Sequence, residues 1–262
     1  DSTFQLDPEK FEKMISSRTK AVIPVHLGGN VCDMKAITKI AKKYSLAIIE
    51  DVAHAHGSTY DGKKAGTFGD MGVFSFYPDK IMSSSDGGII VTDNYSTYEK
   101  LLLLRNVGRK QIGKYDYTEI GYNYRMNEIQ AILAQEQLKL LPKMLKRRRD
   151  IAKKYDFEFK NYLKITPQKI FSNVNSGYYA YILKSNQANR IRKKLAEKGI
   201  ETSPMFETIY KTTVYKKLLR KKPKCFISEK LDSQTFTIPL HPSLSNKQVN
   251  YVIEQMKKIL DD

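Results

Sequence analysis

The residues of this chain best suited to chemistry lie between Glu50 and Gly88, in EDVAHAHG, GTFGDMGVFSFYPDK and SSSDGG. Asp51 closes an apolar run, and a second apolar run delivers Ser75 and then Lys80. A carboxylate beside a heterocyclic nitrogen keeps that nitrogen protonated, and the protonated ring is the stronger electron sink. A hydroxyl can donate to a phosphate. A desolvated lysine amine can add to an aldehyde as a Schiff base. Pyridoxal phosphate needs all three, and the order Asp51, Ser75, Lys80 suits it. His54 stands three residues after Asp51, where an imidazole could hydrogen-bond a ring hydroxyl or pack on the ring face. His56 competes with it for either role.

Taken singly, these residues have plainer uses. A strand-end Asp often caps a helix or shapes a turn. A strand-end Ser is commonly inert, and Lys80 is one of 45 Lys and Arg residues. Gly87 and Gly88 allow tight turning or close backbone approach. His54 and His56 lack further Cys, His or carboxylate residues at a spacing that suggests zinc.

The elements that must position these residues follow from periodicity. Lys20–His26 (KAVIPVH) reads as a strand, and Asp33–Tyr44 as a helix with Ala36, Ile37, Ile40, Ala41 and Tyr44 on one face. Ser45–Asp51 reads as a strand buried on both faces. Met71–Tyr77 and Gly88–Thr92 are two more strands, and Tyr95–Arg105 is a helix with Leu101 to Leu104 buried. Strands alternating with helices predict an α/β domain with a largely parallel sheet. Ligands of such sheets bind beyond the carboxyl ends of the strands, where Asp51 sits. Residues 126–160 read as one long helical region, with Ile129, Leu133, Gln137 and Leu140 on one face and Pro142 as a kink or break. Beyond it the pattern predicts strands at Tyr178–Leu183 and Thr235–Pro239 and a helix at Gln187–Lys198. The closing helix starts at a Ser245–Gln248 capping box, with Val249, Val252, Ile253, Met256 and Leu260 on its apolar face.

Composition narrows the setting. Hydrophobic residues make up 41% and charged residues 28%, the balance of a globular chain. The net charge is +17, and all of it lies in the second half: residues 1–138 hold 17 basic and 17 acidic residues, whereas 139–262 hold 28 and 11. That asymmetry predicts a large domain over 1–140 and a smaller α+β domain over 141–262 that includes the connecting helix. A basic surface attracts anions in general, but no nucleic-acid motif accompanies it, so no nucleic-acid partner is expected. Two cysteines, Cys32 and Cys225, make no disulfide framework, which points to a reducing, cytoplasmic setting. No apolar run reaches membrane-spanning length, so no membrane partner is expected either. The opening DSTFQLDPEKF starts as if in mid-domain, as a fragment or processed product would.

EDVAHAHG, FSFYPDK, SDGGIIVT and GYNYRMNEIQA together resemble the DegT/DnrJ/EryC1/StrS aminotransferases, sugar aminotransferases among the fold type I pyridoxal phosphate enzymes. RTKAVIPVHLGG, QLKLL with RRRDIAKKY, and IPLHPSLSNKQVNYVI follow in the family's order, so the resemblance spans essentially the whole chain. It implies that Lys80 holds the cofactor and later moves a proton. Asp51 would pair with the pyridinium nitrogen, His54 with the ring hydroxyl, and Ser75 with the phosphate. Asn123 would reach the phosphate of a neighbouring subunit's cofactor, making a homodimer with shared active sites. Arg125 lies in the same loop, where a salt bridge is its plain reading. The implied substrate is a nucleotide-linked keto-deoxysugar and the implied amino donor glutamate or glutamine. SSSDGG departs from the family's TTGEGG by losing a glycine at Ser85. No upstream Ser-Gly-Thr phosphate turn is present, which implies an N-terminally incomplete large domain. That gap leaves a second reading, a non-catalytic relative acting as partner subunit or regulator. A dehydratase of the same fold would carry His in place of Lys80.

Overall fold

The computed structural model describes residues 2–110, 115–221 and 223–262; Asp1, the first residue of the opening segment, lies outside them. By its contacts the chain divides into two compact units. One comprises Gln5–Pro142 with Ser172–Gly177, and the other Asp1–Phe4, Lys143–Phe171 and Tyr178–Asp262.

The first unit begins with helix α1 (Pro8–Met14), capped by the Asp7 carboxylate. A four-stranded sheet follows, in the order β1 (Ala21–Val22), β2 (Ala47–Asp51), β3 (Met71–Ser75), β4 (Gly88–Val91). β1 pairs with β2 and β2 with β3 in parallel, while β4 runs antiparallel at the edge. β1 is shorter than the KAVIPVH pattern predicts. Pro24 has no N–H to give the ladder, so only an isolated Val25–Asp51 bridge continues the pairing.

Helix α2 (Met34–Lys43) links β1 to β2. Asp33 caps it by accepting from Ala36 N–H at 3.0 Å. Met34, Ile37 and Ala41 form its buried stripe, with Ile40 half-buried and Tyr44 exposed beyond the helix end. These residues pack with Val22, Val31, Ile48 and Val52 in the unit's core.

Two burial expectations fail here. β2 is not buried on both faces: Ala47 is exposed, Ile48 and Glu50 are buried, and Ile49 and Asp51 are half-buried. Helix α3 (Tyr95–Arg105) forms as predicted, but Leu101–Leu104 are only half-buried. Consecutive helical residues point about 100° apart, so four leucines in a row cannot share one buried face.

Helix α4 (Glu128–Phe159) runs 32 residues with Pro142 inside it rather than at a break. Proline there removes one helix hydrogen bond, the one to the Leu138 carbonyl. The division between units follows directly after Pro142.

In the second unit, β5 (Thr166–Pro167), β6 (Tyr181–Lys184) and β7 (Thr235–Ile238) form an antiparallel sheet with β6 central. Helices α5 (Ala188–Glu197) and α6 (Asn246–Asp261) pack in its core with Tyr155, Phe159 and Phe236. The Ser245–Gln248 capping box is formed, and Val249, Val252, Ile253, Met256 and Leu260 are all buried. Each such side chain contributes roughly 1.5–3 kcal/mol. Part of the basic KRRRD cluster is internal. Arg147 donates to the Leu244 carbonyl. Buried Arg148 donates to the carbonyls of Tyr178, Tyr179 and Leu240, and burial pulls its pKa down to about 10. Among the described residues no helix is long and apolar enough to cross a membrane.

Candidate active site

Parallel strands converge their carboxyl ends on one edge of the sheet, and the candidate residues gather there. Asp51 is the last residue of β2 and stands opposite Val73 of β3. Ser75 ends β3 two residues further along, about 7 Å at strand spacing. Asp51 Oδ1 accepts from Ala53 N–H at 3.0 Å, which fixes the carboxylate as the chain leaves the strand. His54 follows and is buried.

His54 reports which charges surround it. Its pKa is lowered to about 4, first by burial and then by the positive charge of Lys80; Asp51 and then Asp79 oppose both. The three residues Asp51, His54 and Lys80 therefore share one neighbourhood. Lys80 reaches it through a tight turn whose Lys80 N–H donates to the Tyr77 carbonyl at 3.0 Å, with Pro78 at the position that fixed φ favours. Its side chain is only 14% exposed, and Nζ lies 3.1 Å from Asp79 Oδ1. Ser75 Oγ accepts from Tyr77 N–H at 3.3 Å, at the start of the same turn.

The segment after Lys80 closes the edge of the site. Ser84 Oγ donates to the Asp86 carbonyl at 2.6 Å, and Asp86 accepts from Gly87 N–H at 2.7 Å. Gly87 has φ +113°, and a Cβ on Gly88 would stand 2.6 Å from the Phe74 carbonyl. Both uses of the glycine pair, turning and close approach, are thus present. Ser85, where the family resemblance expects glycine, keeps a left-handed φ of 72°.

Asn123 makes its contacts with other residues. It lies on an exposed strand-like segment bridged to Asn106, where Tyr122 N–H donates to the Leu104 carbonyl and Tyr124 N–H to that of Arg105. Its Oδ1 accepts from Arg125 Nε at 3.1 Å. Arg125 also donates to Asn106 Oδ1 at 3.1 Å. Both of these acceptors are side-chain amides, so the salt bridge expected of Arg125 is replaced by hydrogen bonds from its guanidinium to uncharged oxygens.

Glu50 was not singled out by spacing, yet it ties β2 to two distant segments. Fully buried, its carboxylate accepts from Gly66, Phe68 and Gly69 N–H at 2.8, 2.6 and 2.8 Å. His26 Nε2 completes the set at 3.0 Å. Cys32 N–H donates to His26 Nδ1, so Nε2 carries the proton given to Glu50. Burial pushes the Glu50 carboxyl up, but these donors outweigh it and hold it below the usual range. A signal was available in the sequence. An acid inside an apolar run needs buried donors, and the glycines of GTFGD can bring backbone N–H groups close.

These residues fit pyridoxal phosphate. The set offers a fixed carboxylate, a buried imidazole, a largely buried amine and a hydroxyl at the adjoining turn, the kinds of group that its ring nitrogen, ring hydroxyl, aldehyde and phosphate call for. Among the described residues, no group of three or more His, Cys, Asp or Glu is placed to hold a metal ion.

Comparison with known proteins identifies the family. The family model for the DegT/DnrJ/EryC1/StrS aminotransferase family matches residues 1–257. GDP-perosamine synthase of Escherichia coli O157:H7 is 34% identical over 265 residues, covering 100% of this chain and 71% of the relative. The solved structure of Helicobacter pylori PseC, an aminotransferase involved in the biosynthesis of pseudoaminic acid, superposes with a TM-score of 0.93 at 29% identity, covering 100% of this chain and 72% of that one. Spr1654 of Streptococcus pneumoniae in its PLP-form gives a TM-score of 0.90 at 29% identity, with 99% and 73% covered. The chain belongs to the DegT/DnrJ/EryC1/StrS aminotransferase family, pyridoxal phosphate-dependent transaminases of fold type I.

Proposed function

We propose that this transaminase aminates a nucleotide-linked keto-deoxysugar, with glutamate or glutamine as amino donor, and that Lys80, Asp51, His54 and Ser75 form its cofactor site. The grouping of Asp51 and Lys80 around buried His54 carries the reading. Similarity to a GDP-perosamine synthase supports a nucleotide sugar as substrate. Pyridoxal phosphate, when bound, supplies the electron sink that makes the donor's Cα–H acidic. Asp51 holds a proton at the ring nitrogen. Neutral His54 hydrogen-bonds the ring hydroxyl, and Ser75 Oγ donates to the phosphate. Lys80 Nζ would hold the aldehyde end of the cofactor and would move a proton at the donor's Cα and at the cofactor's C4′ carbon.

The working form is a homodimer, with Asn123 reaching the neighbouring subunit's phosphate. Ile129, Ile132, Leu133, Leu138 and Leu140 support that reading, since all are exposed on the first half of α4. The chain works in the cytoplasm, in keeping with the free thiols of Cys32 and Cys225.

Borohydride reduction of the cofactor-loaded chain should fix the cofactor on Lys80, read by mass spectrometry of the peptide. Lys80→Ala should lose the trapped adduct and lower turnover by about a thousandfold. Equal trapping in parent and variant would remove Lys80 from the site. Release of 2-oxoglutarate or its amide analogue from each donor, tested against GDP-, dTDP- and UDP-linked keto-deoxysugars, identifies the donor and the nucleotide.

A further inference from the structure

His56 is 2% exposed, and neither of its ring nitrogens meets a partner at hydrogen-bond geometry. A buried polar group without a hydrogen bond is costly, and such groups concentrate where a ligand or a closing segment completes them. The surroundings of the ring point to one place. It packs edge-on to Phe74, with centroids 5.6 Å apart, and tilted against Phe76 at 6.1 Å. These two residues flank Ser75. The His56 pKa is lowered to about 4, chiefly by burial, with the Ser75 backbone raising it and Lys80 lowering it. The ring thus packs on the two residues that flank Ser75, beside the strand end that presents the Ser75 hydroxyl.

We propose that His56 is a positioning residue for the phosphate end of the cofactor site: its ring N–H bonds to the Ser75 backbone when an anion is held at Ser75, fixing the strand end that presents the Ser75 hydroxyl. The inference rests on the assignment of Ser75 to the phosphate. Phe74 and Phe76 hold the imidazole in place, so closing the bond needs only a small shift of the strand end. The contribution is specific to the phosphate, because the ring nitrogen and aldehyde of the cofactor are served by Asp51 and Lys80.

Titration with pyridoxal phosphate and with pyridoxal, which lacks only the phosphate, separates these roles by absorbance. His56→Leu should weaken pyridoxal phosphate binding about tenfold, the worth of one bond, and leave pyridoxal binding unchanged. His56→Gln, which keeps an N–H donor, should recover most of the loss and guards against a Leu variant that fails to fold. Equal loss for both ligands in the Leu and Gln variants would make His56 merely structural, and no loss for either would make it idle; each overturns the proposal. Ser75→Ala tests the underlying reading separately. It should reduce the preference for pyridoxal phosphate over pyridoxal, and an unchanged preference would remove Ser75 from the phosphate site whatever His56 does.

Discussion

Glu50 and Asp51 are adjacent acids with opposite tasks. Successive strand residues point to opposite faces, so Glu50 turns into the buried donors of the Gly66–Gly69 turn and Asp51 to the half-buried ligand side. Glu50→Gln keeps the shape but puts an amide NH2 against N–H donors. It should cost about 3 kcal/mol, measured by urea unfolding at pH 7. The pH dependence follows from the sign of the shift. The folded carboxyl lies below its ordinary value of 4.5. Its stabilisation is therefore fully present above that value and is lost as pH falls through the lower folded value. The gap between parent and variant should be constant from pH 7 to about 5 and close in more acid solution. A gap that widens on acidification would show that Glu50 is held neutral. The placing of Asp51 and Ser75 at strand ends was legible in the sequence because strand patterns are local. Glu50 was hidden because its partners come from residues 16 to 24 positions away.

At the scale of elements, short segments set the geometry. Ser85 occupies a left-handed conformation that suits glycine, in the turn between Lys80 and β4. A side chain in that region costs about 1–2 kcal/mol. Ser85→Gly should therefore raise the melting temperature by about 2–4 °C, and an unchanged or lower value would mean that the Ser85 side chain repays its strain. At the other end of the chain, Ser245→Ala removes the side-chain half of a formed capping box. A loss of about 1 kcal/mol is expected in thermal or urea melts. Both features were readable in the sequence as departures from or matches to a pattern. The burial of Leu101–Leu104 was not, because a run of four leucines says how much apolar surface exists and leaves open what covers it.

For the whole molecule, the exposed apolar residues of α4 are the main structural support for a dimer. Light scattering should give the parent twice the 30.2 kDa chain mass. Ile129→Lys with Leu133→Lys should shift it to 30.2 kDa, since two lysines on an apolar contact leave buried unpaired charge. A parent that already runs at the single-chain mass would end the dimer reading. The charge excess is less informative than its size suggests. Arg147 and Arg148 spend their guanidinium groups on carbonyls inside one unit, so the +17 overstates the cation available to a partner.

By itself the sequence determined the strand–helix alternation, the capping boxes and the order of acid, imidazole, hydroxyl and amine. Each depends on neighbours within a few residues, where propensity, periodicity and turn chemistry act. The tertiary structure decided which of the adjacent acids is fully buried and which histidine packs against Phe74 and Phe76. It also decided that Asn123 is held by Arg125. Those outcomes depend on strand register and on donors brought from distant segments, which local sequence patterns do not encode.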